Sequence, residues 1–257
     1  MEYVIISLVA FLASILTFFS GFGLGTILLP VFSLFFPIEI AIALTGVVHF
    51  FNNIYKLILV GKNANKNVLI YFGIPAVIAS FLGAYILINI TDLTPIYEYT
   101  IGKRQFVITP VKLIISILLI SFAIIELLPS LKKLNFQKKH LPFGGFLSGF
   151  FGGLSGHQGA LRTAFLINAG LTKEVFIGTA VVISAFVDFT RLSIYATRFL
   201  NSSLSDNIPL ILCATISAII GAYYGNKLLK KVTLEFIQKL VAVLLIAISL
   251  ALGIGLL

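Results

Sequence analysis

The chain holds a single cysteine, Cys213, so no intrachain disulfide can form, and that thiol lies inside an apolar run where it carries no information on redox compartment. Charge is equally scarce. Asp, Glu, Lys and Arg make up 11% of the residues, against about a quarter in soluble domains, and the mean hydropathy is +1.11. A soluble single-core protein is excluded. Three histidines and no cysteine cluster give no metal-ligand pattern. There is no H-E-x-x-H and no pair of acids well inside one run, so no enzyme and no cofactor is expected. The absence of a P-loop excludes nucleotide-driven transport within this chain. The start, Met1-Glu2-Tyr3-Val4, lacks a positive n-region and an A-x-A-like site before Gly21, so the first hydrophobic segment is expected to stay in the protein.

What fills the sequence instead is apolar runs, each near the roughly 20 residues needed to cross about 30 Å of hydrocarbon. They cover 3–36, 39–60, 67–90, 107–129, 141–169, 174–199, 208–226 and 234–257. The first is interrupted by Gly21, Gly23 and Gly25, the fifth by Gly152, Gly153 and Gly156. The formal charge of +9 does not point to nucleic acid, because the lysines sit in short connections rather than on a folded, water-exposed face.

Residues 21–56 and 149–191 share a pattern: a glycine-rich break, a short apolar helix, a polar turn, and a span ending in a polar cluster. With an offset of 135, Glu39 falls on Glu174, Asn53 on Asp188 and Lys56 on Arg191. Polar matches at one offset inside apolar spans favour duplication. If every run crosses once, the connecting Lys and Arg residues divide seven against eight, which is no bias. If the two glycine-broken runs each dip in and return, eleven lie on one side and only Lys103, Arg104, Lys112 and Arg198 on the other, a positive-inside distribution. Three crossings per copy invert the second copy relative to the first. A long kinked helix in place of each dip, giving a plain eight-span bundle, is the alternative.

A helix interrupted in the bilayer needs its loose backbone groups buried in protein or facing a wet cavity, and the N-terminus that resumes after the break offers N–H groups and partial positive charge to an anion. Gly25 and Thr26 hold that position in the first copy. In the second, Ser155, Gly156, His157, Gln158 and Gly159 lead into Arg162, a concentration of polar groups whose burial without function would cost several kcal/mol. Glycines also serve close helix packing, which remains open for the first cluster.

Arg162 is the leading candidate, since a guanidinium stays charged and presents a planar fork to oxyanions; snorkelling to an interface is its alternative. His49, Asn52 and Asn53 share one helix and can hydrogen-bond a substrate. Asp188 and Arg191, three residues apart, either neutralise each other or serve gating or coupling. Lys56, one turn from the end of its span, has a coupling role or snorkels. His157 either carries a coupled proton or sits neutral and hydrogen-bonded. Glu126, three residues before Pro129, reads as an interfacial carboxylate.

The glycine break with its downstream proline (Gly21-Phe22-Gly23-Leu24-Gly25 to Pro30), the small-residue span around Gly83-Ala84, the run from Gly149 through Gly159 to Arg162, and Asp188-Phe189-Thr190-Arg191 resemble the TauE/SafE family of membrane permeases, over essentially the whole chain. The resemblance implies export or exchange of small sulfur-containing or organic anions such as sulfite or sulfonates.

The expectation is therefore an all-α, polytopic, multi-pass inner-membrane protein: a first repeat over 1–130, a basic cytoplasmic linker over 131–140 and a second repeat over 141–257, with glycine-broken helices at the start of each repeat. Alternating access, one copy rocking against the other, would carry a small anion (sulfite, sulfonate or a small carboxylate), with protons or sodium as the coupling ion suggested by His157 and Asp188. A passive anion channel or a non-transporting membrane scaffold is the alternative. The expected partners are the anion and the lipid bilayer, with no nucleic acid.

Overall fold

The computed structural model describes residues 1–18, 23–127, 137–167, 169–199, 205–228 and 234–257. Gly21 and Phe22 of the first glycine run, Pro129 and most of the basic linker lie outside the described residues, as does the side chain of Glu126.

The helices are α1 (Glu2–Thr17), α2 (Leu24–Ser33), α3 (Ile38–Val60), α4 (Lys66–Ile90), α5 (Pro110–Leu127), α6 (Leu141–Ser155), α7 (Gly159–Leu166), α8 (Lys173–Phe199), α9 (Ile208–Leu228) and α10 (Leu234–Gly253). Among the described residues, α3, α4, α8 and α9 are long and apolar enough to cross a membrane, while α1, α2, α5 and α10 contain shorter apolar helices. Large apolar side chains line the outside of the bundle, among them Ile58, Phe186, Phe189 and Val243, and the polar side chains Asn52, Gln158 and Asp188 are fully buried. That inside-out distribution, opposite to a water-soluble protein, suits a lipid surround.

The all-α expectation needs one correction. The run that begins at 107 opens as a strand, not a helix: β1 (Tyr97–Ile101) and β2 (Arg104–Ile108) pair antiparallel, with Ile101 opposite Arg104. The two-residue loop between them has Gly102 at φ +64°, a conformation that closes tight hairpins and that glycine adopts without steric cost. Alternating aromatic and β-branched residues suit a half-exposed pleat, and Tyr99 stacks on Phe106 at 5.1 Å between centroids. The Tyr99 hydroxyl donates to the Ile254 carbonyl, pinning the hairpin to the end of α10.

Helix pairing is set by glycine. A Cβ on Gly145, Gly149 or Gly153 of α6 would overlap the carbonyls of Phe72, Ala76 and Ser80 on α4, and one on Gly83 of α4 would overlap the carbonyl of Phe150. These two helices therefore run parallel with their backbones touching, the packing that a small residue every fourth position permits. The stretch of α4 at the start of this contact is a π-turn, Leu69–Gly73. The same arrangement recurs on the other side of the molecule, where Gly221 and Gly225 of α9 meet the carbonyls of Phe11 and Ile15 on α1.

Each of the two short helices runs back along a neighbour, α2 along its successor α3 and α7 along its predecessor α6. Gly25, near the start of α2, lies against Thr45 and His49 in the middle of α3, and α2 ends at Ser33, five residues before α3 begins. Phe165, near the end of α7, stacks edge-on against Phe143 near the start of α6 and fills the space over Gly144.

Candidate functional site

α3 and α8 bring the polar side chains together because each presents them at helical spacing on its buried face: His49, Asn53 and Lys56 on α3, Ser184, Asp188, Arg191 and Tyr195 on α8. The charged side chains buried among the described residues are Lys56, Arg162, Arg191 and Asp188, three cations against one carboxylate.

Asp188 is the hub, and its two oxygens accept four hydrogen bonds. Oδ1 accepts from Arg191 Nε at 3.0 Å and from Gln158 Nε2 at 3.3 Å; Oδ2 accepts from His49 Nδ1 at 2.6 Å and from Asn53 Nδ2 at 2.9 Å. Gln158 passes the connection on, since its Oε1 accepts from Arg162 Nη1 at 3.2 Å. Arg162 also donates to Ser184 Oγ, and its Nε has no partner among the described residues.

Arg191 lies in a slot made by two glycines, its guanidinium carbon 3.4 Å from where a Cβ of Gly46 would stand and its Nη1 2.8 Å from a Cβ of Gly156. Gly156 has φ +82°, so this position requires glycine twice over, for its backbone and for the room. It ends α6, and α7 resumes at Gly159 without a side-chain cap. Beyond Arg191, the Tyr195 hydroxyl donates to the Gly153 carbonyl and seals this side of the cluster.

On the opposite side of Asp188, a cavity of about 30 Å³ is lined by polar groups of Thr17, His49, Asn53, Lys56, Arg162 and Ser184, with Gly23 and Leu24 at the uncapped start of α2. Phe176, Ile177, Ala180 and Val181 of α8 complete its wall. Lys56 is held here rather than snorkelling: its Nζ lies 5.2 Å above the Phe18 ring and donates at 3.3 Å to Asn52, whose carboxamide, turned with its oxygen toward Lys56, donates to Ala218 O and Ser14 Oγ. Arg162 is likewise buried.

The site residues expected from the sequence thus divide. Arg162, His49, Asn53 and Lys56 line the cavity; Gln158, Asp188 and Arg191 stand behind them; Asn52 holds Lys56. Gly25 and Thr26 are buried in the first turn of α2, Gly25 against Thr45. Ser155 spends its hydroxyl on the Phe151 carbonyl of its own helix. His157 stacks flat on Phe122, 5.6 Å between centroids, with Nδ1 3.2 Å from the Ser155 carbonyl, and is not part of the cavity wall. Ser184 and Thr17 were missed; Ser184 lies one turn before Asp188 and could have been found by that spacing. No cluster of three or more His, Cys, Asp or Glu suited to a metal ion occurs among the described residues.

The buried site carries excess positive charge inside an apolar helical bundle. A family model described as Sulfite exporter TauE/SafE matches residues 6–252. The chain belongs to the sulfite exporter TauE/SafE family. Membership makes it a membrane transporter of sulfite-type anions, and the resemblance read from the glycine runs holds over nearly the whole chain. A search of curated proteins returns no match to it.

Proposed function

We propose that this TauE/SafE protein is a secondary carrier that binds a small oxyanion of the sulfite type in the cavity between α2, α3, α7 and α8. One observation carries the proposal: Lys56 and Arg162 face this cavity, and the one carboxylate buried among the described residues is already engaged by Arg191 and three further donors. Arg162 supplies a donor fork, its Nε without a partner among the described residues, and Lys56 a point charge. The open N–H groups at the start of α2 add partial positive charge. The apolar wall of Phe176, Ile177, Ala180 and Val181 favours a compact anion over one with a long tail.

An inverted repeat is the architecture we assign. Asn53 and Asp188, the residues matched at an offset of 135, are hydrogen-bonded to each other, as expected where a pseudo-two-fold axis passes between α3 and α8. The pairing of α1 with α9 mirrors that of α6 with α4 under the same exchange of repeats. The return of α7 toward the start of α6 supports a dip rather than a crossing in the second copy, and a dip in each copy keeps the positive-inside division at eleven against four. Alternating access in an inner membrane follows from such a fold. Because the closest backbone contacts join α1 to α9 and α4 to α6, the bodies that move are these cross-repeat pairs, in place of one repeat rocking against the other.

Counterflow in proteoliposomes tests the carrier reading. Vesicles loaded with unlabelled sulfite should transiently accumulate labelled sulfite above equilibrium, with saturation. Flux that follows the gradient without counterflow would make it a channel, and no flux a scaffold.

A further inference from the structure

His49 joins the hub of the site to the cavity wall. Its Nδ1 faces Asp188 Oδ2 at 2.6 Å, and a carboxylate that already accepts from Arg191, Gln158 and Asn53 can only accept here as well. The proton of the neutral imidazole is therefore on Nδ1, and the lone pair is on Nε2. Gly23 packs at this nitrogen, 3.3 Å from where its Cβ would be, at the uncapped start of α2 on the cavity wall. The ring thus has one edge held by a fixed anion and the other turned to the site.

From this geometry we infer that His49 is the proton-binding group of the carrier, taking a proton on Nε2 when the anion occupies the cavity. The inference rests on the carrier reading and deepens it by assigning the coupling ion and its residue. The step is a simple association: a proton from water joins the Nε2 lone pair, Nδ1–H stays with Asp188, Asp188 stays ionised, and release to the other side restores the lone pair.

The surrounding charges determine the sign of the coupling. Facing His49 are Asp188 and Arg191 from α8, Lys56 from α3 itself and, through Gln158, Arg162 from α7. Nothing ionisable occurs in α2, and α1 carries Glu2 and Tyr3 at its far end. The ionisable groups of α9 (Cys213, Tyr223, Tyr224 and Lys227) are exposed on its outer side. With the cavity holding no anion, a proton on Nε2 would add a fourth buried cation against one carboxylate. With an oxyanion bound, the same proton adds a donor and a charge of the right sign. Each ligand then favours the other, and linkage makes the effect reciprocal. Anion and proton travel together.

His157, the other buried histidine, cannot do this. Its ring is stacked on Phe122, no carboxylate faces it, and its Nε2 has no partner among the described residues.

The test uses full-length protein in nanodiscs with 15N-labelled imidazoles and sulfite as the probe. Only three histidines contribute signals. The H49Q spectrum identifies the His49 signal by its loss; should that variant fail to insert, H140Q and H157Q identify it by subtraction. In the sulfite-free protein, His49 should be the Nδ1–H tautomer. Saturating sulfite should move the pH at which Nε2 becomes protonated upward by about one unit, a tenfold coupling within the usual allosteric range. An Nε2–H tautomer overturns the assignment, as does a midpoint indifferent to sulfite in a sample where calorimetry shows sulfite binding. If calorimetry shows no binding, the carrier reading for sulfite has failed, and the coupling falls with it.

Discussion

Replacing Asp188 by Asn keeps the shape of the hub and removes its charge, so its cost can be worked out bond by bond. The amide oxygen can still accept from Arg191 and Gln158, but the new NH2 group confronts His49 Nδ1–H and Asn53 Nδ2, donor against donor, where contacts of 2.6 and 2.9 Å stood. Two charge-assisted bonds at about 1.5–3 kcal/mol each are lost, so D188N should destabilise by about 3–6 kcal/mol. His49 can recover one of them by moving its proton to Nε2, which still leaves about 1.5–3 kcal/mol and removes the lone pair from the cavity. Arg191 is at the same time left as a buried charge with no counterion, which adds to the loss. Reversible SDS titration in mixed micelles reads the stability, and sulfite counterflow the function. The double variant D188L/R191M removes both charges and should regain much of the stability without regaining counterflow, since apolar replacement of a buried pair is often neutral or better. A D188N change within about 0.5 kcal/mol, the range of an ordinary surface substitution, would refute the four-donor hub. Parental counterflow in D188L/R191M would reduce the cluster to a structural ion pair.

R162A should insert normally and lose counterflow, and R162K should recover only part of it, because a lysine cannot reach Gln158 and Ser184 while leaving a second donor for the anion; full activity in R162A would remove this residue from the site. G149V puts a branched side chain into the Ala76 carbonyl and should cut the folded yield severely, whereas G73A comes no nearer than 3.5 Å, to Ile183 Cγ1, and should be tolerated; size-exclusion profiles compare the two. G156A combines a strained φ with an overlap on Arg191 and should abolish counterflow at reduced stability in SDS titration. For topology, a cysteine at position 34, exposed just before α3, should react with impermeant reagent from the side that labels position 98, and one at position 62 from the opposite side; position 38 itself is buried.

Much of the bundle was legible because membrane burial leaves few alternatives: the runs at 39–60, 67–90, 174–199 and 208–226 each correspond to one long helix. The hairpin was not, because Phe106-Val107-Ile108 reads the same as a strand end or as the start of a span, and only the pairing with Tyr97–Ile101 separates the two. In the site, the cost of burying charge singled out Arg162, Lys56 and Asp188, all of which the fold buries. What local reading could not supply was which charge faces which. His49 and Asp188 are 139 residues apart, so their contact is a property of the packing of α3 on α8. His157 drew attention through its polar neighbours in sequence, yet its ring turns to Phe122.

The glycine contacts between α4 and α6, and between α1 and α9, carry a consequence for how such a protein can be made. Each half of the chain keeps its tightest partner in the other half, so a fragment ending before residue 128 would present the bare carbonyl ridge of α4 to lipid, with nothing of matching shape to cover it. Two fragments synthesised together should reassemble, and either one synthesised alone should be cleared by proteolysis.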